Sequence, residues 1–248
     1  MKLKLLVASI AAVVVFPVFA EGPPHWGYES KDGAEHWADL SPEFAVCKIG
    51  KEQSPIDIRT AEVKPSKLGP LGFNYATGTV EVVNNGHSIQ VNVPAGGTLV
   101  LDGSNYSLAQ FHFHAPSEEK LNGESFPLGA HFVHKSAEGK LAVVTVLFKL
   151  GKENTALKPV FDAMPKKEGE AAKLDGLNPA DILPAERAYY AFEGSLTTPP
   201  CSEGVRWQVL KEPVELSEHQ LSAFRQLYPM NARPVQPLNG REVRAGGS

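Results

Sequence analysis

No segment of the 248-residue sequence repeats another, no tract is of low complexity, and no long linker interrupts it. A tandem array and a string of loosely joined domains are therefore excluded. Basic residues are outnumbered, 24 Lys and Arg against 28 Asp and Glu, and they are scattered along the chain. The basic patch that a nucleic-acid partner needs is missing. The apolar run Leu5 to Val15 falls short of the roughly 20 residues that cross a bilayer. His-Glu-x-x-His is absent, which argues against a zinc protease. Cysteine is nearly absent, with only Cys47 and Cys201.

What is present begins with an address. Lys2 and Lys4, the apolar run and the small residues of Val18-Phe19-Ala20 have the order of a secretory signal peptide over residues 1–20. Cleavage would leave residues 21–248 as one domain, with no membrane span and a periplasmic or secreted location. An oxidising compartment favours a disulfide between Cys47 and Cys201, and two free buried thiols are the alternative. Gly246-Gly247-Ser248 reads as a frayed tail.

From Phe73 to Phe148 the chain reads as strands. Thr79–Val83 and Ser88–Val93 alternate, and Pro94–Gly97 turns the latter into Thr98–Leu101. Asp102–Asn105 is a second turn, a further strand runs near Gly129–His134, and Leu141–Phe148 suits a central strand covered on both faces. Helices are few. Ser217 and Gln220 have capping-box spacing at the head of a helix to Tyr228, and Pro159 confines a second helix over Thr155–Met164 to short pieces. The fold class expected is α+β and sheet-dominated: a single domain with a large, twisted, mostly antiparallel central sheet and small peripheral helices.

The chemistry centres on Gln110-Phe111-His112-Phe113-His114 and on His131 in Ala130-His131-Phe132-Val133. A strand turns residues i and i+2 to one face, so His112 and His114 point together while Phe111 and Phe113 point away. A third imidazole from the next strand completes a three-nitrogen face with one position open, the arrangement of a catalytic zinc. The same alternation sets Val133 beside His131 and turns His134 to the opposite side as a hydrogen-bonded structural histidine. Core histidines without a metal are the plainer alternative.

Together with Ser117-Glu118, His131-Phe132-Val133-His134 and Ser195-Leu196-Thr197-Thr198-Pro199-Pro200, the histidine motif resembles the α-class carbonic anhydrases. His25-Trp26-Gly27-Tyr28, Gln53-Ser54-Pro55-Ile56, Asn85-Gly86-His87 and Asn231-Ala232-Arg233-Pro234 match as well, in family order from about His25 to Leu238. The two cysteines match the disulfide positions of exported bacterial members. The resemblance implies Zn²⁺ on His112, His114 and His131, with a hydroxide in the fourth position that converts CO₂ reversibly to bicarbonate and a proton. It further implies that Glu118 accepts from the Thr197 hydroxyl and so orients that oxygen, and that His87 shuttles protons. Tyr28, Asn85 and Gln90 would order the waters between. Thr198 would lie near bicarbonate, and Val133, Val143, Leu196, Val205 and Trp207 would form the apolar wall for CO₂, although those residues equally suit a core. Sulfonamide and other anions would inhibit by replacing the hydroxide, and a homodimer is allowed.

Behind the ligands, Gln110 should bond the ring of His112, and the Asn231 carbonyl that of His114. For His131 the family usually supplies a glutamate two residues earlier, where this chain has Gly129. Losing such a partner typically costs about 10–100-fold in metal affinity or activity, so weaker zinc retention or lower turnover is expected, with a water in place of the carboxylate. Two other readings stand beside the lyase: a silent relative serving as a binding module, and a zinc esterase. Silent relatives generally lack one zinc histidine, and this chain has all three.

Overall fold

The computed structural model describes residues 24–247 except Ala95. The proposed signal peptide over residues 1–20 therefore lies outside the described residues, as does Ser248. Ten strands make up the spine of one large sheet: β1 (Lys64–Leu68), β2 (Gly78–Asn84), β3 (Ile89–Asn92), β4 (Ser104–His114), β5 (Leu128–Lys135), β6 (Leu141–Leu150), β7 (Ala171–Leu177), β8 (Tyr189–Ser195), β9 (Glu203–Leu210) and β10 (Arg244–Gly246). Their spatial order is β7-β2-β3-β4-β5-β6-β9-β8-β10-β1. Most pairings are antiparallel, but β6 runs parallel to β9 and to the short strand Val214–Leu216, and β10 runs parallel to β1. The sheet is thus mixed at its centre. The long apolar run of β6 permits this without dictating it: a strand buried on both faces can take a parallel neighbour brought round by a long crossover.

Alternation along the central strands divides the interior in two. Phe111, Phe113, Phe132, Val144 and Val146 face the larger core, each with no accessible surface. Phe111 stacks on Phe132 at 4.8 Å, and Phe113 meets Phe161 and Phe224 from the helices Lys158–Asp162 and Glu218–Arg225. Burial stabilises by about 1.5–3 kcal/mol per side chain of this kind, so the ligand strands are anchored by the residues between the ligands. Val143, Leu147, Val205, Trp207 and Val209 form a second cluster on the opposite face.

The Glu218–Arg225 helix opens with the capping box that its sequence predicts, Ser217 Oγ accepting from Gln220 N at 3.2 Å, but it ends a turn before Tyr228. The second helix is the single stretch Lys158–Asp162, with Pro159 in its first turn. Short helices at Trp37–Leu40 and Val46–Ile49, and the strands β7 to β10, lie outside the strand run predicted from the sequence.

Candidate metal centre

Register brings the histidines together. On β4 and β5 His112 lies directly opposite His131, and the same row continues to Gln90 on β3 and Thr145 on β6. His114 lies one row along, opposite Gly129. One ring nitrogen from each of His112, His114 and His131 falls within 4.8 Å of the other two. His114 and His131 are buried, whereas His112 keeps some exposure.

The remaining ring nitrogens are each committed elsewhere. His112 Nδ1 donates to Gln110 Oε1 at 2.9 Å, His114 Nδ1 to the Asn231 carbonyl at 2.7 Å, and His131 Nε2 to Glu119 Oε2 at 3.1 Å. Because each outward nitrogen is a donor to an oxygen, each ring turns its other nitrogen toward its neighbours as a lone-pair donor. The third partner corrects the expectation from Gly129: His131 does not lack a carboxylate, since Glu119 reaches it from the loop after β4. That residue is missed by a search along the strand, because it comes from another segment. The only trace in the sequence is a second acid directly after Glu118.

The electrostatics suit a divalent cation. Burial pushes the His112 and His114 imidazoles below their ordinary range, helped by His131 for both and by His112 for His114. Burial alone would depress His131 too, but the charge and hydrogen bond of Glu119, then Glu118, raise it. Glu118 and Glu119 are both buried, and among the described residues their ion-pair contacts are with the site histidines alone. Burial pushes Glu118 up to about 7 against the opposing influence of His131. His114 Nε2, Glu118 Oε2 and Glu119 Oε1 have no hydrogen-bond partner. Three converging imidazole nitrogens, of which His114 Nε2 has no partner, beside two buried carboxyl groups are what a doubly charged, nitrogen-preferring ion would satisfy, so the donor set fits zinc.

Around this floor, Glu118 Oε1 accepts the Arg233 backbone N–H at 2.7 Å. The Thr197 hydroxyl stands near enough to help hold the Glu118 carboxyl down, although no bond of full geometry joins them and Glu118 Oε2 stays unpartnered. Val143, Val205 and Trp207 are buried together with Val133 and Leu196 packed against them, and the Trp207 ring meets His131 edge to face at 4.9 Å. Thr198 is half-buried, and its carbonyl accepts from Cys201 N at 2.8 Å. His87 is half-buried, with its ring stacked on Trp26 at 3.7 Å. Burial, then His25, lowers its pKa, with Glu168 opposing. The exposed Asn85 donates to Gln90 at 3.3 Å, and Gln90 to Asn92 at 2.7 Å. Tyr28 packs against Trp26 and Trp37, and burial followed by Glu118 drives its hydroxyl pKa well up. Among the described residues no hydrogen bond links the side chains of His87, Thr198 or Tyr28 to the histidine trio.

Cys47 and Cys201 form a disulfide, Cα to Cα 5.0 Å, which ties the Val46–Ile49 helix to the end of the Thr197 loop. The buried Arg233 guanidinium reinforces that tie, donating to the Cys47 carbonyl at 2.9 Å, to Gln53 Oε1 at 2.9 Å and to the Ser54 carbonyl at 2.7 Å. Burial lowers its pKa to about 10.

With this geometry in view, the profile of the eukaryotic-type carbonic anhydrases matches residues 32–247. The chain belongs to the α-class carbonic anhydrase family. It is accordingly an enzyme, and CO₂ hydration is the activity that goes with the family. A carbonic anhydrase of Pectobacterium carotovorum is 46% identical over 247 residues, covering 98% of this chain and 99% of its own. Among solved structures, the α-carbonic anhydrase of Thermovibrio ammonificans in complex with the inhibitor sulfanilamide superposes with a TM-score of 0.88 at 51% identity, covering 90% of this chain and 100% of its own. The Photobacterium profundum α-carbonic anhydrase gives a TM-score of 0.84 at 46% identity, covering 89% and 100%. Carbonic anhydrases of this class use zinc, and among the described residues the trio is a group of side chains that could hold it.

Proposed function

We propose that the chain hydrates CO₂ reversibly with a zinc ion held by His112 Nε2, His114 Nε2 and His131 Nδ1. The supporting observation is the convergence of three nitrogens within 4.8 Å while every outward nitrogen is already engaged. When bound, such an ion acts as a Lewis acid and makes water a nucleophile at neutral pH, chemistry for which carbonic anhydrases are themselves the reference case.

The chain's own residues then do four things. Gln110, Asn231 and Glu119 hold the ligand rings in one tautomer. As a carboxylate Glu118 can only accept, so it accepts the Thr197 O–H in a hydrogen bond and leaves that oxygen free to accept from the attacking water and aim it. The wall of Val133, Val143, Leu196, Val205 and Trp207 admits an uncharged linear molecule and offers no competing polar group, with Thr198 beside the bicarbonate product. His87 takes the released proton outward, across waters ordered by Tyr28, Asn85 and Gln90. Its lowered pKa keeps it neutral, and so able to accept, at neutral pH.

Residues 1–20 act as an export signal in this reading, and residues 21–248 as the mature catalytic domain. The disulfide suits an oxidising compartment, and no helix among the described residues is long and apolar enough to cross a membrane. The proposed export signal and the disulfide support a periplasmic or secreted location. The sulfanilamide complex of the Thermovibrio relative supports inhibition by sulfonamides.

The test is stopped-flow CO₂ hydration beside zinc content. Chelation should abolish hydration, added zinc should restore it, and His112→Ala should lose both. Full activity after zinc removal would overturn the proposal.

A further inference from the structure

Unlike Gln110 and the Asn231 carbonyl, Glu119 reaches its ring as a buried carboxyl group, from outside the ligand strands, and its surroundings are built around it. The side chain has no accessible surface, one oxygen lies 3.1 Å from His131 Nε2, and the other has no partner. Its backbone is fixed by Ser117, whose hydroxyl donates to the Glu119 carbonyl at 2.9 Å and accepts from Phe126 N at 2.8 Å. Ser117 N in turn donates to the Phe126 carbonyl at 2.9 Å. This clasp lays residues 117–119 over β5 at Gly129, on the face that carries His131. A Cβ at Gly129 would meet Ser117 Cβ at 3.2 Å and Ser117 Cα at 3.3 Å, tighter than ordinary contact. The bare backbone and the incoming loop fit one another.

We propose that Glu119 is the positioning residue of the third metal ligand, and that Gly129 is the clearance through which its loop gains access. Glu118 cannot serve instead, since its nearer oxygen is 3.8 Å from the other nitrogen of His131, beyond hydrogen-bond reach. A buried carboxylate on the outward nitrogen holds the ring rotation, fixes the proton on Nε2 and strengthens Nδ1 as a donor to the ion. The inference rests on the zinc reading above.

The test compares zinc-loaded wild-type protein with Glu119→Ala and Glu119→Gln. One readout is the rate of zinc transfer to a chromogenic chelator, and the other is the ¹H–¹⁵N signal of the His131 Nε2–H. We expect E119A to release zinc about 10–100-fold faster and to lose the protected imidazole signal. E119Q keeps an acceptor oxygen, so it should keep the signal while releasing zinc at an intermediate rate. A folded E119A that retains the signal and releases zinc at the wild-type rate overturns the proposal. Should E119A fail to fold, E119Q decides alone, and wild-type release from it overturns the proposal equally. A wild-type chain that binds no zinc would sink the metal reading and this inference together, whereas unchanged release from a zinc-binding wild type and its variants sinks only the inference.

Discussion

The floor and the rim of the site are built by different means. On the floor, three ligands sit on two adjacent strands, each held by its own partner, with aromatic side chains locking the strands from behind. At the rim, Thr197 and His87 sit on loops, and contacts between distant parts of the chain hold them: the disulfide, the Arg233 guanidinium, and Asn231 Nδ2 donating to the His87 carbonyl at 3.0 Å. The floor inherits its geometry from strand register, while the rim must be stapled. Damage to the staples should therefore unsettle turnover and stability before it affects metal retention.

The strongest way to break that contrast is to remove the staple. Cys47→Ser with Cys201→Ser should cost about 2–5 kcal/mol of stability in urea unfolding while zinc content stays at the wild-type level. Parallel loss of zinc from the folded variant would show that floor and rim are one unit. Acid probes the underside of the floor, where His134 turns away from the trio, donates from Nδ1 to the Ala142 carbonyl at 3.2 Å and accepts from the Tyr75 hydroxyl at 2.6 Å. Burial lowers its pKa from 6.5 to about 4. The unfolded chain thus binds the proton more readily, and the stability this group contributes is complete above pH 6.5 and lost as pH falls toward about 4. Replacing His134 with Gln should flatten urea stability across that window by about 3 kcal/mol. Finer still is Thr197→Ala, which should lower CO₂ hydration by about 10²-fold through lost aim and leave the zinc transfer rate unchanged. Accelerated zinc transfer would place Thr197 in the floor instead.

The same contrast decides what could be read in the sequence. The ligand face was legible because a period of two is local: His112, His114 and the intervening Phe111 and Phe113 declare two faces within five residues. The Ser217 cap was legible for the same reason. Illegible were the contacts of Glu119 and Arg233, whose partners lie on other segments, and the short helices near Cys47, which have too few turns to show a period. Strands β7 to β10 show no clear period because, unlike β6, they are interrupted by glycines and charged residues. Parallel pairing of β6 with β9 is a tertiary choice that no local pattern records. The family motifs carry the rim residues to their positions, but only the fold brings Glu119 to the ring that Gly129 leaves without a strand carboxylate.

Arg233 also bears on how the molecule matures. Its partners Gln53 and Cys47 lie 180 and 186 positions earlier in the chain, so the catalytic cradle is among the last things synthesis can complete. Such long-range closure belongs to high contact order and slow, late assembly. A nascent polypeptide halted before position 233 would already contain every imidazole ligand, yet it would lack the clamp that seats Glu118.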